Sequence, residues 1–400
     1  MLNTATVVGA FWGDEGKGKF VDYICRDVEA DVAVRFAGGS NAGHTIKHPG
    51  EEAITMRLLP TGGSRPGTLS VIGAGVVIDP DILIREIDTM KEINPDFDLV
   101  VDYRAHIVLP SHRELDTRKE GARGAQIGTT RSGIGPTYAD KANRVGIRIG
   151  DLTGDLDELY DKARLLATDI HHSTNIVSRD QIQQWSRELS EFIGDGSRVV
   201  NGVIDDGGSV VFAGAQGVLL DIDFGTYPFV TSTSCLPSGI GSGAGVDPRK
   251  VSEVVGVVKA YCTRIGAGDF PTEIHDEEVA SIIREAGNEY EHGVHIDRPR
   301  RIGWLDPEAL ELSARVGNYD WLAITMLDVI GRLDEIEIPG VGTMPGWDCD
   351  IGDIDSPDEL PVGLLRYLDE IERISGCRVG YISVGADTSQ VIDVRGRYLW

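Results

Sequence analysis

Two short stretches carry residue types that can do chemistry on a phosphate. The first is Gly13-Asp14-Glu15-Gly16-Lys17-Gly18-Lys19 and the second is Gly38-Gly39-Ser40-Asn41-Ala42-Gly43-His44. Glycines leave backbone N–H groups open to an anion, a helix N-terminus favours negative charge, and a nearby ammonium adds to both. The spacing from Gly13 to Gly18-Lys19 comes within one residue of a Walker loop, but Phe20 stands where the magnesium-binding Ser or Thr belongs. An ordinary P-loop kinase is therefore excluded. Two carboxylates inside a phosphate cradle repel their ligand unless a metal or a proton-transfer role accounts for them, which makes Asp14 and Glu15 candidates for chemistry.

The elements that must position these loops are legible in the hydrophobic pattern. The apolar run from Thr6 to Phe11 predicts a buried strand, and Phe20, Val21, Ile24, Cys25 and Val28 predict a helix after the glycines. Leu69 to Ile78 reads as strand and turn, Asp79-Pro80 caps a helix through about Met90, and Leu99 to Tyr103 begins another strand. Later strands are Val210–Ala213, Val254–Val258, Trp321–Met326 and Val379–Ser383, with helices over Glu277–Ala286, Asp306–Val316 and Pro357–Ile374. Alternation of this kind predicts an α/β fold, a mostly parallel sheet with helices on both faces.

Three stretches do not follow the alternation. Residues 112–137 are polar and rich in glycine, arginine and threonine, and read as a long functional loop. Leu156–Thr174 and Arg179–Phe192 have helical spacing but no catalytic cluster; the neighbours His171 and His172 diverge on a helix and are expected to be exposed and inert. Ser238–Gly245 reads as a loop within one domain.

Composition narrows the partners. With 38 lysines and arginines against 64 acids, the chain of 400 residues has a formal charge of −26, which argues against nucleic acid and anionic membranes as partners. Phosphate binding must then be local. Five scattered cysteines without a C-x-x-C spacing suggest neither a disulfide framework nor a zinc site. No long apolar run occurs, and Met1-Leu2-Asn3-Thr4 opens without a basic or apolar signal, so a reduced cytoplasmic location is expected.

Taken together, the motifs resemble those of adenylosuccinate synthetases. They are Trp12 to Lys19, Asn41-Ala42-Gly43-His44-Thr45, Gly128-Thr129-Thr130 with Gly133-Ile134-Gly135-Pro136, Gly214-Ala215-Gln216-Gly217, Gly225-Thr226-Tyr227-Pro228, Phe270-Pro271-Thr272-Glu273, Arg298-Pro299-Arg300-Arg301 and Gly303-Trp304. The resemblance runs in order from Val7 to Gly385. It implies a P-loop-like GTP-dependent ligase fold, one domain over 1–400 with insertions at about 112–205. The implied reaction phosphorylates the 6-oxo group of IMP with GTP, after which the amine of L-aspartate displaces phosphate to give adenylosuccinate.

Residue roles follow by the same resemblance. Asp14 is the base that removes the N1 proton and, with the Gly43 carbonyl, holds Mg2+; His44 steadies charge on the transferring oxygen, and Lys17 neutralises phosphate. IMP contacts are Asn41, Thr130, Gln216, Thr231 and Arg298, with Arg144 supplied by the other subunit of a homodimer. GTP contacts are Gly13, Glu15, Gly16, Gly18, Lys19, Thr45, Asp328, Ser383 and Gly385; Lys19 serves mainly to fix the loop, and Asp328 accepts two hydrogen bonds from guanine. Arg298 and Arg300 take the carboxylates of aspartate.

Departures from the family pattern gather around substrate. Met326 replaces a lysine that usually stacks on the guanine, and Val294-His295-Ile296-Asp297 replaces the usual small hydroxylated residues ahead of the arginines. Asp269 stands in place of proline and Ala213 in place of glutamate. These changes motivate two alternatives: a viral-type relative acting on dGMP, against which Asp14 counts, and a paralogue joining a different amine to a purine nucleotide. A regulatory scaffold without catalysis would be expected to lack Asp14 or His44, and both are present.

Overall fold

The apolar runs assemble into one ten-stranded sheet. In this computed structural model, which describes residues 3–122, 127–287, 300–347 and 349–398, the strand order is Val391–Asp393, Arg378–Ser383, Trp321–Thr325, Glu253–Lys259, Thr4–Gly9, Val210–Gly217, Val32–Arg35, Leu69–Ile72, Leu99–Asp102, Ile193–Gly194. Every neighbouring pair is parallel except the edge pair of Arg378–Ser383 with Val391–Asp393. The mostly parallel α/β architecture expected from the sequence is thus found.

Central strands are buried on both faces, which is why they read as unbroken apolar runs and not as alternation. Thr4–Gly9 and Val32–Arg35 are buried at every residue. Val8, Val34 and Phe212 pack into a cluster on one face, while Val7, Ala33, Val211 and Ala213 pack on the other against Phe20, Val21 and Ile24 of helix α1 (Lys17–Asp27). A further cluster gathers Leu99 and Val101 with Leu83, Ile87 and Met90 of α2 (Pro80–Ile93) and with Ile182, Trp185 and Leu189 from Arg179–Leu189. The Asp79 side chain accepts from the Ile82 amide, so the expected cap is present.

The stretch 112–137 departs from expectation. Most of it is helical: α3 spans Pro110–Ala122 and α4 spans Ile134–Asn143. The buried face of α3 consists of Ser111, His112, Asp116 and Glu120. A helix that buries polar groups shows no apolar stripe, and so its period is invisible to a hydrophobicity reading. Ser238–Gly245 likewise contains one short helical turn, Ile240–Gly243, packed against the Phe36 backbone. The helix Gly196–Asp205 was not foreseen, and the last helix starts at Val362 after a separate turn at Pro357–Glu359.

The loops after the parallel strands all emerge at one end of the sheet, where open α/β sheets bind ligands. Because Phe212 is fully buried at the sheet centre, Phe212→Ala is expected to cost about 3–5 kcal/mol of unfolding free energy. Urea denaturation monitored by circular dichroism checks this; a loss below about 1 kcal/mol would mean that the strand is not central.

Candidate functional site

The loop 13–19 separates its two acids. Gly13 and Gly16 have φ of 87° and 86°, which only glycine adopts without strain, and Asp14 sits at φ 59° between them. This turn sends the Glu15 carboxylate inward: Oε1 accepts from the amides of Phe11 (3.0 Å) and Gly13 (2.8 Å), and Oε2 pairs with Lys17 Nζ at 2.6 Å. A Cβ on Gly9 would stand 2.3 Å from that carboxylate, so the strand end must be glycine. The Glu15 side chain therefore builds the loop, and Lys17 is half of an internal ion pair, not a free ammonium. Asp14 is the acid left facing outward; its side chain is 32% exposed and lies 3.0 Å from Arg300 Nη2.

His44 follows the strand Val32–Arg35 and starts the hairpin His44–Ile46 with Ile54–Met56. It packs directly on the first loop, since a Cβ on Gly18 would lie 3.1 Å from His44 Cβ. Arg35 Nη1 is 2.9 Å from its Nδ1 and 3.1 Å from its Nε2. Burial, and then the charges of Arg35 and Lys17, push the imidazole well below its ordinary titration range. A guanidinium can only donate, so His44 is neutral and accepts from Arg35. Arg35 was missed in the sequence; an arginine closing a four-residue buried strand was the available signal. Burial lowers it to about 10, and its Nη2 has no hydrogen-bond partner among the described residues.

The second group surrounds Gln216, whose backbone at φ 53° ends the strand Val210–Gly217. Its Nε2 donates to Asn41 Oδ1 at 3.3 Å, while its Oε1 is buried and unpartnered among the described residues. Thr130 donates to Ser132 at 3.0 Å. The strip that carries Thr130 is gripped from α3: Glu120 accepts from the Gly128 amide (2.6 Å) and Asp116 from the Gly133 amide (3.0 Å). These two carboxylates were also unforeseen. Thr231 donates its amide to Leu220, and the Thr45 hydroxyl meets Thr55 across the hairpin at 2.8 Å. Arg144 is exposed at the C-terminal end of α4.

His171 overturns its expectation. It is buried, with Nε2 2.8 Å from Asp140 Oδ2 and Nδ1 2.9 Å from Ser111, while His112 Nε2 reaches the same carboxylate oxygen at 2.9 Å. The helix has already ended at His171, so the argument from neighbouring helical positions does not apply there. Burial raises the Asp140 carboxyl, but hydrogen bonds from the two histidines outweigh it and hold the group well below the usual range. His112 Nδ1 accepts from the Leu109 amide at 2.8 Å, so its proton is on Nε2 and that nitrogen is not open to a metal. Magnesium prefers a full set of oxygen donors, which a cluster of one carboxylate and two histidines does not offer.

On the far side of the loop, Lys19 Nζ donates to Ser383 Oγ (2.8 Å) and to the carbonyls of Gly385 (2.8 Å) and Gln390 (3.0 Å). Lys19 therefore ties α1 to the turn after Arg378–Ser383. Burial raises the Asp328 carboxyl, with the Lys19 charge opposing it. Met326 takes φ 58° two residues before this acid. Arg298 and Val294-His295-Ile296-Asp297 lie outside the described residues.

Burial lowers Lys19 from its ordinary 10.5 to about 7, against the opposing pull of Asp328 and Asp387. Between those values the unfolded chain holds more protons at this site, so stability rises with pH across that window. Unfolding free energy measured at about pH 7 and about pH 9 should rise more in the wild type than in Lys19→Met. Parallel changes in the two proteins would refute the lowered titration of Lys19.

The sequence profile of the adenylosuccinate synthetase family matches residues 6–341 and 338–392. The adenylosuccinate synthetase of Koribacter versatilis is 40% identical over 426 residues, 97% of this chain and 95% of that protein. The fully ligated adenylosuccinate synthetase from Plasmodium falciparum superposes with a TM-score of 0.89 at 32% identity, over 98% of this chain and 100% of the other. The succinoaminodeoxyadenylate synthetase of cyanophage S-2L, solved with dGMP and dATP, gives a TM-score of 0.68 at 20% identity over 98% and 95%, a likeness of fold alone. The chain belongs to the adenylosuccinate synthetase family, the C–N ligases that carry this loop and this sheet.

Proposed function

We propose that this chain joins L-aspartate to IMP at the expense of GTP, through 6-phosphoryl-IMP, giving adenylosuccinate, GDP and phosphate in purine biosynthesis. The observation that carries the reading is the division of labour between the two loop acids. Glu15 is spent on amides and Lys17, which leaves Asp14 as the carboxylate that can accept a proton. Asp14 takes the N1 proton of the purine, the 6-oxygen attacks the γ-phosphorus, and GDP leaves. The aspartate amine then attacks C6, and phosphate departs.

His44, neutral and held by Arg35, offers its N–H to the oxygen in transit without adding a second buried cation beside Arg35. Arg300, the partner of Asp14, is also the guanidinium suited to a carboxylate of the incoming aspartate. Aspartate binding thus competes for the charge that pairs with Asp14 and releases this carboxylate for its proton. Asn41, Gln216, Thr130, Thr231 and Arg298 hold IMP; Gly13, Gly16, Gly18, Thr45 and the amide of Glu15 face GTP phosphates, with Lys19, Ser383 and Gly385 shaping the guanine side and Asp328 reading the base. Asp14 and the Gly43 carbonyl would hold magnesium, which when bound offsets phosphate charge.

We infer a cytoplasmic homodimer built on one domain per chain. Helix α4 puts ten residues, about 15 Å of rise, between the strip at 128–133 and Arg144, a distance that favours delivery of this arginine to a partner's IMP. Among the described residues no helix is long and apolar enough to cross a membrane.

Asp14→Asn should lower turnover by about 10³-fold while leaving nucleotide binding intact, followed by phosphate release with Mg2+, GTP, IMP and aspartate. Retained turnover removes Asp14 from its role; product mass with dGMP in place of IMP, or with another amine in place of aspartate, identifies a different substrate. Mixing inactive Asp14→Asn and Arg144→Leu proteins should restore about a quarter of wild-type activity, because half the dimers are mixed and one of their two sites is whole. No recovery after confirmed subunit exchange would show that Arg144 does not act in trans.

A further inference from the structure

A cavity of ≈ 270 Å³ opens at the start of α2, with Ser40, Arg85, Arg113, Arg131, Asp79 and Asp81 on its walls. Its two acids are already committed. Asp79 accepts from the Ile82 amide and pairs with Arg113; Asp81 accepts from Trp185 Nε1 at 2.6 Å and Gln181 Nε2 at 3.0 Å. The guanidinium groups of Arg85 and Arg131 make no hydrogen bond or ion pair among the described residues, and both line the wall. Ser40 is 1% exposed, and its Oγ has no partner among the described residues.

A buried hydroxyl and two guanidinium groups that have no partner among the described residues together make an environment that lacks one anion. The planar forks of arginine match phosphate oxygens, and the volume exceeds what inorganic phosphate alone needs. We propose that this cavity is a second anion site, separate from the nucleotide cleft, that takes a phosphate dianion, either free or as a sugar monoester. Ser40 directly precedes Asn41 and Arg131 directly follows Thr130, so an anion bridging the two walls joins the two loops that we assign to IMP. The site itself does not depend on that assignment.

The test is calorimetric titration of the full chain with inorganic phosphate and, separately, with ribose 5-phosphate, each with and without saturating IMP. Binding of one anion per chain that persists with IMP bound is expected, weakened at least tenfold in Arg85→Gln and several-fold in Ser40→Ala, with kcat and the KM for IMP of Arg85→Gln unchanged in the absence of added anion. Tighter binding of phosphate points to the released product as occupant, tighter binding of ribose 5-phosphate to a sugar ester; either supports the site. No binding of either anion, equal binding by Arg85→Gln, or one-for-one displacement by IMP would overturn it. Should IMP itself fail to bind, the functional reading falls, while the comparison of wild type with Arg85→Gln still decides the cavity.

Discussion

The structure depends on how a carboxylate is kept inside a phosphate-binding turn. Glu15 is wholly buried, and an ionised acid without partners is not tolerated there. Two backbone amides and the Lys17 ammonium satisfy it, and Thr325 donates its hydroxyl to the Glu15 carbonyl at 2.9 Å. Such a buried pair gains little net stability, because desolvation offsets the Coulomb attraction. What it does supply is shape. With Glu15 pinned, the adjoining Asp14 is forced to the other side of the turn, and the loop shows one acid and not two to whatever enters the cleft.

The same logic recurs one strand away. Arg35 is fully buried and hydrogen-bonds the Ala37 carbonyl at 2.9 Å, which fixes its remaining nitrogens against His44. A cation beside a buried imidazole makes protonation of that ring costly, so the residue is locked as a neutral donor and acceptor. Lys19 closes the third side by gathering three oxygens from the turn after Arg378–Ser383. Loop positions that look like a row of phosphate ligands are thus largely interlocked with each other. The groups left facing outward are few, and each is held by a neighbour: Asp14 by Arg300 and His44 by Arg35.

Helix α3 shows the cost of reading a sequence by apolar period alone. Its inward face is Ser111, His112, Asp116 and Glu120, each hydrogen-bonded: His112 to Asp140, Asp116 to Gly133, Glu120 to Gly128. Asp116 and Glu120 are four positions apart and so share a face, which lets one helix hold both ends of the strip carrying Thr130. A long polar segment was given the wrong form, since polar burial and solvent exposure look alike until the partners are known. His171 failed in the same way: its partners, Ser111 and Asp140, are distant in the chain.

The sequence by itself determined the alternation of strands and helices, because strands buried on both faces must be apolar throughout, and it determined the two glycine loops, because left-handed backbone at Gly13 and Gly16 admits little else. It also determined the family, through ordered motifs that span nearly the whole chain. Only the tertiary structure decided which acid of Asp14-Glu15 faces outward, that Arg35 sets the charge state of His44, and that Lys17 is already paired. The reason is physical: a local pattern reports burial and backbone form, whereas the charge state and direction of an ionisable group depend on partners brought from other strands and helices, at distances of about 3 Å that no spacing in one dimension encodes.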